Sequence, residues 1–348
     1  MSERKRILTG IRPTGALHLG HYAGALENWL DLQDSYDCNF LIADYQVSDY
    51  ADDIKHVRES VWDVALDWLA VGLNPETSNF VIESLVPEHT ELTTWLSWFL
   101  PLGLLQRNPT LKTEMDGFGK KSVPLAFFTY PVMQVANILM PRAHLVPVGE
   151  DQLPHIEMTR EIARRFNRQF GDIFPEPEGL VGRVPRLVGI DGQAKMSKSL
   201  DNCILLSDDA KTIEKRVRGM FTDPNRTRAD IPGKVEGNPV FIYHDVFNPN
   251  RDEVEDLKTR YREGKVGDVE VKAKLTAALN TFLDPIRDRR RQFEEDKGYV
   301  EEVLYEGTLR AVEIADETLR EVKKAMGLTG IWNRISRRAR DRKRENQE

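Results

Sequence analysis

Between residues 6 and 82 the chain alternates short buried runs with helical spacing, and that order leaves few folds open. RILT at 6–9 reads as a strand, and a helical run beginning near His21 carries Leu26, Leu30 and Gln33 on one face with Trp29 beside them. NFLIADYQ at 39–46 reads as a buried strand bounded by polar residues. Val57, Val61, Val64, Ala65 and Trp68 then recur at helical spacing before a stop near Gly72, and 80–82 is a further strand. Strand, helix, strand, helix, strand in this order predicts an α/β fold with a parallel sheet covered by helices.

From about 87 to 140 the pattern turns helical and rich in Trp, Phe and Leu, a surface suited to a partner subunit or to burial within the chain. LVPVGEDQ at 145–152 restores strand alternation and turns at Gly149; Ile156, Ala163, Phe166 and Phe170 mark the next helix. The character changes after KMSKS at 195–199. Ser207 is placed to cap a helix whose apolar face includes Ile213, Val217 and Met220, and helical segments run on to 328 around a turn-rich interval at 223–239. The chain therefore divides into an α/β segment at 1–200 with a helical stretch at 87–140, a helical segment at 201–328 and a charged tail at 329–348. That tail lacks a sustained apolar face and reads as an exposed terminus or frayed helix.

Composition removes several function classes. With 40% hydrophobic and 30% charged residues the chain is globular in type, and its longest apolar stretches are too short to span a bilayer. The basic start has no apolar segment behind it, which makes the cytoplasm the expected location and leaves no membrane partner. Cys38 and Cys203 lie far apart without a neighbouring ligand set, so neither a disulfide framework nor a zinc site is expected. A net charge of −7 argues against non-specific coating of nucleic acid, while a local basic surface stays open.

Two turns carry the chemistry. PTGALHLGH at 13–21 follows a strand and enters a helix; Gly15 and Gly20 permit close backbone approach, and His18 and His21 can place ring N–H groups against phosphate oxygens. Taken alone, such a pair equally well caps or packs a helix. AKMSKSLDN at 194–202 sets Lys195 and Lys198 as mobile charges among small residues, with Ser197 and Ser199 able to fix the loop. A surface loop with two lysines is common on its own. Tyr130, Gln134 and Asn137 fall at i, i+4 and i+7, with Pro131 expected in the first turn of their helix. That spacing aims three polar ends into one pocket or lines a solvated face.

HLGH and KMSKS together resemble the two signatures of the class I aminoacyl-tRNA synthetases. GIRPTGALHLGHYAGAL, YPVMQVANILM, VPVGEDQLPHIEMTREIARRFN and DDAKTIEKRV are similar to stretches of the tryptophanyl branch, over about 7–328. The resemblance implies a Rossmann-type catalytic domain, a connecting insertion that supplies a homodimer interface and a helical anticodon-recognition domain. It implies activation of L-tryptophan by ATP and transfer to tRNA(Trp), with Mg²⁺ held mainly by the ATP phosphates rather than by a protein cage. His18, His21, Lys195, Ser197 and Lys198 are then the catalytic candidates. Gly10, Ile11, Arg12, Thr14, Gly20, Gly149, Asp151 and Met196 join His21 and Lys198 near ATP.

For the amino acid the resemblance implies Leu8, Tyr130, Gln134, Asn137 and Gln152. Here the chain departs from its branch. Bacterial tryptophanyl members commonly carry Asp where Asn137 stands and Met where Gln134 stands, Gln134 is similar to the tyrosyl relatives, and Leu8 replaces an aromatic. An Asn/Gln network is expected in place of the carboxylate that accepts the indole N–H. Arg287, Arg289, Arg290 and Arg291 offer a basic cluster for tRNA phosphates, or a solvated helix face. The alternatives are a tyrosyl-tRNA synthetase, a small-molecule nucleotidyltransferase and a synthetase-derived regulator that no longer charges tRNA but binds a protein partner.

Overall fold

A computed structural model describes residues 4–116, 122–184, 187–193, 196–223, 226 and 228–346. Five strands form one parallel sheet in the order β3–β2–β1–β4–β5: β1 (Arg6–Ile11), β2 (Asp37–Ile42), β3 (Ser78–Ile82), β4 (Leu145–Val148) and β5 (Glu178–Val181). Successive side chains along a strand enter opposite cores. Ile7, Phe40 and Phe80 pack with the Ile54–Val71 helix, while Leu8, Leu41 and Val81 pack with the Leu125–Leu139 and Leu153–Phe170 helices. Both faces are covered, so the central strands read as near-continuous apolar runs. β5 carries no such run and leaves no strand signal.

Three local expectations change. The strand expected over 39–46 stops at Ile42, and Asp44–Gln46 forms a 3₁₀ turn. Asp44 causes this, because its carboxylate accepts the Ser84 N–H at 2.8 Å and the Ser84 hydroxyl at 2.5 Å. Those bonds tie the carboxyl ends of β2 and β3 together. Asp209, not Ser207, caps the Ala210–Arg218 helix by accepting the Thr212 N–H at 2.7 Å. Pro131 lies inside the Leu125–Leu139 helix rather than in its first turn.

The helical C-terminal region packs on the sheet. One hydrophobic core runs from Ile7 to Leu304, across the division expected at residue 200. The Lys297–Ala325 helix covers the outer edge of β3: Thr308 Oγ1 accepts the Ile82 N–H at 3.2 Å, and Arg310 Nε donates to Asn79 Oδ1 at 2.6 Å. Gly307 makes this possible, since a Cβ there would meet the Phe80 carbonyl oxygen at 2.4 Å. An otherwise open strand edge is thereby closed by a helix. The charged tail is helical over Leu328–Glu345 with no buried residue. Among the described residues no helix is long and apolar enough to cross a membrane.

Candidate active site

β1 sits between β2 and β4, so the chain leaves it toward one side first and returns on the other. In a parallel α/β sheet the crevice outside the carboxyl ends of such strands is the place a ligand is held. A cavity of about 260 Å³ opens there. Leu8, Thr9, Gly10 and Arg12 line it from β1 and the turn that follows, and Val148, Gly149 and Gln152 from the end of β4. The Leu125–Leu139 helix adds Tyr130, Gln134 and Asn137 from one face, and Ala25 and Trp29 line it from the helical run that HLGH opens. All five residues expected to meet the amino acid therefore line one cavity, together with Gly10, Arg12 and Gly149.

Its polar groups form linked sets. Gln134 Nε2 donates to Gln152 Oε1 at 3.3 Å, and Gln152 Nε2 donates to Asp151 Oδ2 at 3.1 Å. The Tyr130 hydroxyl donates to Glu114 and lies 3.2 Å from His155 Nε2. Burial, reinforced by Glu114, drives the Tyr130 phenol far upward, and burial pushes His155 down to about 4, so both rings are uncharged near neutrality. Asn137 Nδ2 donates to Glu83 Oε1 at 2.6 Å. Glu83 has no exposed surface and also accepts the Tyr45 N–H at 3.1 Å and Gln46 Nε2 at 3.3 Å. Burial is the largest influence on Glu83 and pushes its carboxyl up to about 7 against these hydrogen bonds.

The HLGH turn lies at the same end of the sheet. His18 Nδ1 accepts the His21 N–H at 3.3 Å, His21 Nδ1 accepts the His18 N–H at 3.1 Å, and the rings stack with centroids 3.8 Å apart. Each Nδ1 is thus an acceptor, which places the proton of each neutral ring on Nε2. Leu19 N–H donates to Ile204 O and Leu206 N–H to Leu17 O, both at 2.9 Å, seating the turn on the segment that follows KMSKS. Gly15 adopts φ +104°, a left-handed turn conformation that suits glycine.

KMSKS folds against this turn. Lys198 Nζ donates to the carbonyls of Gly15 at 2.9 Å and Ala16 at 3.1 Å, and the Gly20 N–H approaches Met196 Sδ at 3.2 Å. Burial lowers the Lys198 ammonium from its ordinary value. Ser197 N–H donates to Asn202 Oδ1 at 2.7 Å, and the Ser197 and Ser199 hydroxyls share a 2.9 Å hydrogen bond. Lys195 lies outside the described residues. Ile11 ends β1, and the Thr14 N–H turns back onto Arg12 O at 2.9 Å. Two signatures separated by more than 170 residues in the chain are therefore one contact surface.

The four arginines expected to meet RNA do not share a solvated face. Arg290 is buried and bonded to Asp67, Asp63 and Glu294. Arg289 Nε donates to Ala70 O at 2.6 Å and Arg287 Nη1 to Asp208 O at 2.9 Å. Arg291 is exposed and paired with Asp288. Among the described residues no group of three His, Cys, Asp or Glu side chains is arranged to hold a metal ion.

Glu83, Gln46 and Glu114 escaped the sequence reading. An acid following a buried strand at its carboxyl end is the signal that marks Glu83; Gln46 was hidden by extending β2 too far, and Glu114 belongs to the site only through the fold.

The family described as tRNA synthetases class I (W and Y) matches residues 1–284. A tryptophan–tRNA ligase of Borreliella burgdorferi is 48% identical over 99% of this chain and 100% of its own length, and that of Treponema pallidum is 51% identical over 93% and 97%. The solved tryptophanyl-tRNA synthetase of Campylobacter jejuni, complexed with ADP and tryptophan, superposes with a TM-score of 0.82 at 33% identity, covering 93% of this chain and all of its own. A tyrosyl-tRNA synthetase from Archaeoglobus fulgidus shares the fold at a TM-score of 0.65 and 22% identity. A cavity and the HLGH–KMSKS contact at the same end of one parallel sheet, and relatives matched over nearly their whole length, place the chain in the class I tRNA synthetase family, in its tryptophanyl branch.

Proposed function

We propose that this enzyme activates L-tryptophan with ATP and transfers it to tRNA(Trp), and that the cavity at the ends of β1 and β4 holds the amino acid. The observation that carries this reading is that a mostly apolar cavity, bearing a few amide and phenol groups, and the histidine-bearing HLGH turn lie at the same end of the sheet. In the first step the tryptophan carboxylate attacks the α-phosphorus of ATP and pyrophosphate leaves with its electron pair. In the second, a ribose hydroxyl at the tRNA 3′ end, the 2′ hydroxyl in this class, displaces AMP from the mixed anhydride. Neither step needs a protein nucleophile, so positioning and charge stabilisation are the chain's work.

His18 and His21 donate from Nε2 to phosphate oxygens, with Gly10, Ile11, Arg12, Thr14 and Gly20 shaping the ATP side and Gly149, Asp151 and Met196 closing it. Lys198 exchanges the Gly15 and Ala16 carbonyls for phosphate oxygens, with Lys195 in the same role and Ser197 fixing the loop. Mg²⁺ would be held mainly by the ATP phosphates, whose charge it would neutralise beside the N–H donors of His18, His21 and Lys198. Trp98, Leu102 and Leu125, exposed on the helical insertion, support a homodimer interface there. The helical C-terminal region recognises the anticodon, and the exposure of Arg291 supports a phosphate contact for that member of the arginine cluster. Amino-acid-dependent ATP–pyrophosphate exchange over the twenty amino acids tests the reading. Exchange with tryptophan alone is expected; preference for tyrosine, or exchange with none, overturns it.

A further inference from the structure

Within this tryptophan reading, one buried carboxylate sits behind two amides of the amino-acid cavity. Asn137 and Gln46 both line the cavity, and both send their NH₂ groups away to the same atom, Glu83 Oε1, at 2.6 and 3.3 Å. An amide that donates through nitrogen keeps its carbonyl oxygen as the remaining polar end. For Asn137 that oxygen is buried and meets no donor in good hydrogen-bond geometry among the described residues, although the buried His89 ring lies against the same amide. Glu83 itself is fixed, since its second oxygen takes the Tyr45 N–H and the adjoining Ser84 is held twice by Asp44.

We propose that Glu83 is a positioning residue for tryptophan specificity: by accepting both NH₂ groups it sets the amides of Asn137 and Gln46 as acceptors, and the Asn137 carbonyl receives the indole N–H. A neutral amide has two faces of similar shape and opposite hydrogen-bonding character. Asn137 would present either one to the cavity if nothing behind it chose. Ionised, Glu83 makes that choice as an acceptor-only group, so the negative charge absent from position 137 acts one hydrogen bond further back. The unpaired acceptor then selects for a donor on the ligand and against aromatic side chains that have none.

The test is pyrophosphate exchange with tryptophan and with β-(benzothiophen-3-yl)alanine, which has the same shape but no ring N–H. The native enzyme is expected to prefer tryptophan by a factor of the order of 10⁴ in kcat/KM. Glu83→Gln can offer its own NH₂ to Asn137 and let that amide turn over. It is expected to raise the tryptophan KM about tenfold or more and to compress the preference by a similar factor, with the ATP KM unchanged. Exchanging the two groups, Glu83→Gln with Asn137→Asp, keeps a donor facing an acceptor and is expected to restore the preference to within about threefold.

Equal losses for tryptophan and the analogue in Glu83→Gln would reduce Glu83 to a structural residue and overturn the proposal. A double variant no better than the single one does the same. If Glu83→Gln does not fold, the double variant decides alone: a preserved preference supports the proposal and a lost one overturns it. Failure of the native enzyme to activate tryptophan at all would count against the functional reading instead.

Discussion

Asp67 has no exposed surface and bonds in two directions, accepting Arg290 Nε at 2.8 Å through one oxygen and the Leu17 N–H at 2.7 Å through the other. Leu17 immediately precedes His18, and Arg290 belongs to the Asp268–Glu295 helix. A single carboxylate therefore joins the C-terminal helices to the turn that carries the HLGH signature. Arg290 was read from the sequence as an RNA contact; its place is in this joint.

Removing Arg290 should loosen both ends of that joint. Burial outweighs the pull of Arg290 and pushes Asp67 up to about 6, above the ordinary carboxylate value that it has when unfolded. The folded state therefore holds this proton more tightly, and the Asp67 contribution to stability falls as pH rises from about 4 to 6, then stays level. Arg290→Ala should cost about 3 kcal/mol at pH 8, where Asp67 is left ionised and short of a partner, and clearly less at pH 5, where it is protonated. Urea denaturation at the two pH values measures this. Pyrophosphate exchange should slow as well, and an unchanged rate would show that the Leu17 contact does not set the turn.

Lys198 is predicted to matter for rate and not for amino-acid binding. Its ammonium rests on two backbone carbonyls of the HLGH turn, beside the expected path of the phosphates. Lys198→Ala should lower kcat for exchange by about 10²–10³ through loss of transition-state stabilisation. The tryptophan KM should remain within about twofold, since an interaction made only in the transition state leaves ground-state binding alone. A change confined to KM would instead make Lys198 a binding residue.

Gly307 is a prediction about the fold. A methyl group there collides with the Phe80 backbone, and the clash cannot be relieved by rotating a side chain. Gly307→Ala should push the Lys297–Ala325 helix off β3 and cost about 1–3 kcal/mol, the scale of an overpacked contact. It should also uncover the β3 edge, so light scattering on warming should show earlier aggregation than in the native chain. Gly298, whose added Cβ would meet nothing closer than 3.8 Å, is the control at the start of the same helix.

What the sequence made legible follows its local signals. Buried strands with β-type composition and helices with apolar spacing recovered β1, most of β2, β3 and β4. β5, with Glu178 and Gly179 in its four residues, has no such signal and forms by pairing with β4. The cavity residues on one helix face, Tyr130, Gln134 and Asn137, were readable because their spacing is a property of the helix itself. Glu83 and Gln46 meet Asn137 only once three separate segments are packed, so nothing near any of them in the chain announces the set. The arginine cluster was legible only as charge: the partners of Arg290, Asp63 and Asp67, lie more than 200 residues away in the chain.

The buried Glu83 carries a stability cost that should be measurable apart from its proposed role. Burial, the dominant cause, lifts its carboxyl to about 7 and Asp44 raises it further, while His89, pushed down to about 4 by burial, lies against the Asn137 amide that donates to Glu83. Unfolded, Glu83 ionises at its ordinary value near 4.5. The folded chain thus binds the proton more tightly, and stability falls as pH rises from about 4.5 to 7, by roughly 3 kcal/mol for this one group. Glu83→Gln should remove that loss, so the variant gains Tm relative to the native chain at pH 8 and has no such gain near pH 4.5. Function should move the opposite way: in the native enzyme the tryptophan KM should rise as pH falls through 7 and Glu83 takes up its proton, while the variant stays flat. A variant less stable than the native chain at pH 8 would mean that the three hydrogen bonds on the carboxylate outweigh its desolvation.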